Sequence, residues 1–180
     1  LGADTNEQLI TKELAEHKNV KLIDFTGNSE FGSYLEKIEG KTVFTEKTGV
    51  NSIILDSCDN LDKVMANLAF SLALYSGQMC TAPQNFFIPE SGVKTPEGII
   101  SFDDCVAKFK EHVEGLANNP KAGPFVLGAV QNPATLERVK NAAKIGGNMV
   151  LEPADIENPM FKNSRTCAPS VLVVDASDKN

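Results

Sequence analysis

The chain alternates between two hydrophobic periods, and few architectures accept that pattern. Short apolar runs of strand character cover residues 20–25, 42–45, 52–56, 85–88, 149–151 and 171–174. Between several of them the apolar residues recur at helical spacing. Leu61, Val64, Met65, Leu68, Ala69 and Leu72 form one such face, and Cys105, Val106, Phe109, Val113 and Leu116 another. Strands exchanged with helices predict an α/β fold, with helices flanking a layered, mostly parallel sheet. The run Ser52-Ile53-Ile54-Leu55-Asp56 is apolar enough to be a strand buried on both faces.

Local chemistry sets the expected boundaries. Thr5 and Gln8 read as a capping box ahead of a helical face of Leu9, Ile10 and Leu14. Gly27 and Gly32 bracket a turn, followed by a short helix. Asp59 or Asn60 caps the next helix, which runs to about Ser76 and stops at Gly77. Residues 89–98 hold two Pro and two Gly and are expected to be a loop. A helix starts at Ser101, and another at Asn132-Pro133 that ends at Gly146-Gly147. No internal domain boundary is visible, so residues 1–180 are expected to form a single domain.

Composition excludes several classes. A net charge of −7 over 180 residues disfavours nucleic acid and offers no basic patch to an anionic membrane. The most apolar run, residues 68–75, is too short to cross a bilayer. The first residues, Leu1-Gly2-Ala3-Asp4, show no signal-peptide pattern and no initiator Met, so the chain is expected to be a cytoplasmic fragment. The four cysteines, Cys58, Cys80, Cys105 and Cys167, lack metal-binding spacing, so no metal site is expected.

Cys80 is the cysteine best placed for chemistry. It follows a helix end, among small and polar residues, in Gly77-Gln78-Met79-Cys80-Thr81-Ala82. Cys105 belongs to an apolar helix face. Cys58 sits among Asp56 and Asp59, whose charge raises a thiol pKa. A free cysteine is nonetheless more often a small hydrophobe than a nucleophile. Glu46, at a strand end before Gly49, is a candidate general base, with a solvated Glu46–Lys47 pair as the plainer alternative. The segment Phe25-Thr26-Gly27-Asn28-Ser29-Glu30-Phe31-Gly32 reads as strand, turn and helix start, which presents N–H groups to an anion such as a pyrophosphate. His17 and His112 read as surface residues on helices.

Taken in order, Ile23–Gly27, Glu46–Asn51 and Gly77–Ala82 resemble the coenzyme turn, glutamate motif and catalytic cysteine motif of the aldehyde dehydrogenase superfamily. Residues 45–52, 74–85 and 131–136 look more narrowly like its phenylacetic acid degradation branch, PaaN. The resemblance spans essentially the whole chain. It implies that Cys80 is the nucleophile and Glu46 the water-activating base. It implies coenzyme contacts at Gly27, Asn28 and Gly32, and NAD or NADP as cofactor. The implied reaction oxidises an aldehyde to a carboxylic acid through a cysteine thioester. For the narrower branch the aldehyde is a semialdehyde of phenylacetate catabolism, carried in one version on coenzyme A. The chain would then be the catalytic domain, with most of the dinucleotide-binding domain upstream of it. The fragment alone would be almost inactive, and the parent would be a homo-oligomer. Asn28 replaces the usual Ser of the turn, Thr48 and Val50 replace a Gly and a Lys, and Arg165 stands where the family has a ribose-binding Glu. A coenzyme A-acylating dehydrogenase and a non-catalytic, degenerate domain are the alternatives.

Overall fold

The computed structural model describes residues 4–5 and 7–177. It divides the chain into two compact units, residues 1–49 and 50–180, where the sequence showed no boundary. The class is α/β. The strands pair as four two-stranded sheets among the described residues, and the two longer ladders are parallel.

The first unit contains α1 (Ile10–Glu16), β1 (Leu22–Gly27), α2 (Ser29–Leu35) and β2 (Thr42–Lys47). β1 and β2 pair in parallel from Leu22 opposite Thr42 to Gly27 opposite Lys47, with α2 as the crossover. Thr5 Oγ1 accepts from the Gln8 N–H (3.0 Å), but this turn precedes the helix, and α1 begins after Leu9. Asn6 of the expected capping box lies outside the described residues. Leu9 and Leu14 are exposed rather than packed, and Ala15 is the buried residue of α1. Gly32 does not bracket a turn. It lies within α2, which Asn28 caps by accepting the Phe31 N–H (2.8 Å).

The second unit is built on β3 (Asn51–Ile54), α3 (Leu61–Ala73), β4 (Pro83–Phe87), β5 (Val93–Thr95), β6 (Gly98–Ile100), α4 (Phe102–Ala117), α5 (Gly123–Leu127), α6 (Pro133–Lys140), β7 (Asn148–Leu151) and β8 (Val171–Val173). β3 and β4 are parallel, β5 and β6 antiparallel, and β7 and β8 antiparallel. The core lies where α3 and α4 pack together over β3 and β4. Leu55, Leu61, Met65, Leu68, Val93, Cys105, Phe109 and Val113 fill it. Asn60, Ser101 and Asn132 cap α3, α4 and α6 through their side chains.

Three expectations are corrected. Residues 89–98 are not a plain loop: β5 and β6 form a hairpin around Pro96-Glu97, and Gly98 supplies the positive φ of 129°. β3 is not buried on both faces, because Ile54 is 79% exposed while Ile53 packs inward. α3 stops at Ala73, short of Gly77, because Leu74 turns to an extended ψ of 122°. A short 3₁₀ turn over Leu74–Gly77 follows.

Candidate active site

Cys80 lies two residues before the buried Ala82–Pro83 start of β4, in a turn that leaves it exposed. The approach to it is unusual. Tyr75 and Ser76 both adopt left-handed backbone, with φ of 51° and 56°. Such a conformation costs a non-glycine residue of order 1–3 kcal/mol and persists only where its surroundings impose it. Here they do so: the Ser76 hydroxyl donates to the Leu127 and Gly128 carbonyls, the latter at 3.1 Å. The far side of the turn is held by Asn51 at the start of β3. Its Nδ2 donates to the Cys80 carbonyl (2.7 Å) and the Ala82 carbonyl (3.0 Å). Gln84 Oε1 in turn accepts the Asn51 N–H (2.6 Å).

Gln78 ties the turn to segment 129–131. Its Nε2 donates to the Ala129 carbonyl (2.9 Å), and its Oε1 accepts from the Gln131 N–H (2.8 Å). Cys80 is therefore accessible while the backbone that carries it is fixed by side chains on both sides. The Cys80 N–H has no acceptor among the described residues.

The other thiols are poor nucleophile candidates on physical grounds. Cys105 and Cys167 are buried, and burial is the main cause that pushes both thiols up. Cys58 is also raised, first by desolvation and then by Asp59, so the neighbouring charge is the smaller cause. A cavity of about 740 Å³ lies in the same unit, lined by Leu55, Leu68, Phe86, Phe109 and Val171, and Cys80 is not on its wall.

The first unit gathers the remaining candidates. In the β1–β2 register, Thr26 faces Glu46 and Gly27 faces Lys47, so the Gly27-Asn28 turn and Glu46 share one end of the parallel pair. Glu46 is exposed and makes no hydrogen bond or ion pair among the described residues. It does not pair with Lys47, because alternation sends the two side chains to opposite faces. Lys47 instead pairs with Glu36 at 2.8 Å. The two glycines are accounted for by packing. A Cβ at Gly27 would meet the Phe25 ring at 2.5 Å, and one at Gly32 the Lys47 alkyl chain at 2.8 Å. The Gly32 N–H is already bonded to the Asn28 carbonyl (3.1 Å). What remains open toward an anion is the pair of N–H groups on Ser29 and Glu30, which have no acceptor among the described residues.

The expected residues overlooked Asn51 and Gln84, which restrain the Cys80 turn. Asn51 stood in view within the glutamate motif, but its reach to Cys80 depends on the β3–β4 pairing. Arg165, a departure from the family motif, binds the strap on which Gln78 rests: Nε donates to the Val130 carbonyl (3.0 Å) and Nη2 to the Gln131 carbonyl (3.0 Å).

The chain is thus α/β, with one exposed, restrained cysteine after a helix of the second unit and, in the first, a parallel strand pair near whose end stands an unpaired glutamate. The chain belongs to the aldehyde dehydrogenase family, whose family model matches residues 4–179. It is similar to an aldehyde dehydrogenase-like protein of Schizosaccharomyces pombe, with 25% identity over 82% of this chain and 30% of that one. It is also similar to aldehyde dehydrogenase [NAD(P)+] 1 of Saccharomyces cerevisiae, with 27% identity over 77% of this chain and 27% of that one. Among solved structures, an NAD-dependent aldehyde dehydrogenase from Burkholderia multivorans superposes with a TM-score of 0.85 and 40% identity, covering 93% of this chain and 30% of that chain. The chain thus spans under a third of the length of these proteins.

Proposed function

We propose that this chain is the thiol-bearing part of an enzyme that oxidises an aldehyde to a carboxylic acid, with NAD or NADP as hydride acceptor. The observation that carries the reading is Cys80, the one exposed thiol of four in a chain of this family, on a turn held from both sides. The Cys80 sulfur adds to the aldehyde carbonyl, and the Cys80 N–H is free to donate to the oxyanion that develops. The nicotinamide coenzyme supplies the hydride acceptor when bound. Loss of that hydride leaves the acyl group on Cys80 as a thioester. Glu46, a carboxylate without a competing partner, takes a proton from the water that hydrolyses it. Asn28 and the N–H groups of Ser29 and Glu30 would face a coenzyme phosphate, and Gly27 and Gly32 let their elements pack closely enough to place them.

For the substrate we propose a semialdehyde of phenylacetate catabolism. Its support is the likeness of residues 45–52, 74–85 and 131–136 to the PaaN branch. The relatives with named substrates include 1-pyrroline-5-carboxylate and N-succinylglutamate 5-semialdehyde dehydrogenases, so the test panel contains those two compounds too.

The test is NAD(P)+ reduction by the complete protein that contains this chain, wild type against Cys80→Ala and Glu46→Gln, with and without coenzyme A. Turnover is expected to vanish in Cys80→Ala. Glu46→Gln is expected to keep a first burst of reduced coenzyme and lose the steady state. Equal turnover in wild type and Cys80→Ala would refute the reading, and an acyl-coenzyme A product would assign the thioester to a thiol acceptor instead of water.

A further inference from the structure

Segment 129–131 is a strap with two bonded edges. On one edge the Gln78 carboxamide imitates a neighbouring strand, donating to the Ala129 carbonyl (2.9 Å) and accepting from the Gln131 N–H (2.8 Å). On the other edge stands Arg165. Its carbonyl accepts from the Val130 N–H (2.8 Å), its Nε donates to the Val130 carbonyl (3.0 Å) and its Nη2 to the Gln131 carbonyl (3.0 Å). Three consecutive residues are thus gripped at five points by two side chains and one carbonyl, and Val130 between them is buried. The guanidinium forms no ion pair with a carboxylate among the described residues, and the two N–H groups it does bond both go to the strap. A planar fork suits two adjacent carbonyls in a way that a single ammonium does not.

We infer that Arg165 is a positioning residue for the Cys80 turn, acting through the strap 129–131 and Gln78. The chain of bonds is continuous: Arg165 fixes Val130 and Gln131, the Gln131 N–H and Ala129 carbonyl fix the Gln78 carboxamide, and Gln78 lies two residues before Cys80. Gln78 Nε2 also donates to the Tyr75 carbonyl (2.9 Å), so it closes the left-handed bend that leads into the turn. Removing the guanidinium leaves that edge of the strap with only the bond from the Val130 N–H to the Arg165 carbonyl. The carboxamide on the other edge then loses its fixed partners, and the sulfur loses its fixed approach.

The inference rests on the reading of Cys80 as nucleophile, and the experiment separates the two. Arg165→Ala, Arg165→Lys, Gln78→Ala and the Arg165→Ala/Gln78→Ala double variant are made in the complete protein. Backbone hydrogen exchange is followed in the peptides spanning 76–82 and 129–131. Arg165→Ala is expected to speed exchange about tenfold in both peptides and to lower kcat about tenfold, with KM within about twofold. Arg165→Lys recovers less than half of either effect. In the Gln78→Ala background, Arg165→Ala adds nothing further at 76–82, because the connection is already cut. Additive effects in the double variant, or loosening confined to 129–131, would overturn the relay. If Cys80→Ala leaves turnover intact, the proposed function fails while the exchange coupling still decides the role of Arg165.

Discussion

Asn51 offers a sharp test of how the Cys80 turn is held. Its carboxamide donates both hydrogens, one to the Cys80 carbonyl at 2.7 Å and one to the Ala82 carbonyl at 3.0 Å. Asn51→Ala deletes both bonds. A neutral hydrogen bond contributes about 0.5–1.5 kcal/mol net, and water can reach the exposed carbonyl of Cys80, so the lower half of the summed range, about 1–2 kcal/mol, applies. The Ala82 N–H keeps its bond to the Met79 carbonyl (3.0 Å), so the loosening stays local. Asn51→Asp has nearly the same shape and the opposite chemistry. It turns an acceptor-only carboxylate toward two carbonyl oxygens, and therefore costs more than alanine at neutral pH. Hydrogen exchange in a peptide spanning 79–85 of the complete protein reads the effect directly, since about 1.4 kcal/mol is tenfold. Expected protection falls in the order wild type, Asn51→Ala, Asn51→Asp, with the first step near tenfold. The aspartate variant carries a second signature. As pH falls through the carboxyl range, which the two facing carbonyls shift above the usual value of about 3.9, the protonated acid regains one donor and its deficit relative to alanine shrinks. Equal exchange in wild type and Asn51→Asp at pH 7 would refute the assignment of Asn51 as a double donor.

Three further outcomes follow from the packing and the charges. Glu36 is held below the usual carboxylate range, first by the Lys47 ammonium and then by the Thr45 hydroxyl. A depressed carboxylate contributes stability that is present above its unfolded value and lost as pH falls through its folded value; Lys47→Met should move the Glu36 titration back up, read by carbon-detected NMR. Met65, 1% exposed at the centre of the α3–α4 core, should cost about 2–5 kcal/mol when cut to alanine, measured by urea unfolding of the complete protein. Gly147 has a φ of +86°, and a Cβ there would run into the Val173 carbonyl and Val174 Cγ1. Gly147→Ala should therefore cost at least about 1–2 kcal/mol and loosen the β7–β8 pair, measured by the same unfolding assay.

The parts of the fold legible in the sequence are those fixed within a few residues. Asn60, Ser101 and Asn132 cap their helices because each oxygen needs only an N–H two or three residues ahead. The face of α4 was equally plain, since Cys105, Phe109 and Val113 repeat at the helical period and are all buried. What escaped depends on partners elsewhere or on lengths too short for a period. β5 and β6 have three residues each, and α5 has five, so none carries a usable pattern. The early end of α3 escaped because Tyr75 and Ser76 seldom adopt positive φ, and Ser76 is held there by carbonyls more than fifty positions away. At the candidate site, the spacing around Cys80 was visible and the Asn51, Gln84 and Arg165 restraints were not. The Glu46–Lys47 pair could have been dismissed at once, because neighbours on a strand point to opposite faces.

The distribution of the four thiols also decides how this protein would age. Peroxide meets Cys80 first, since Cys105 and Cys167 are enclosed and Cys58 is half-buried with a raised thiol. A sulfenic or sulfinic acid on Cys80 projects into solvent from a surface turn, so the interior stays intact while that sulfur is spent. Oxidised molecules would keep their secondary structure and their melting behaviour, and under the proposed role of Cys80 inactive, well-folded protein would accumulate in an ageing preparation. A reducing agent would restore the fraction halted at the sulfenic stage.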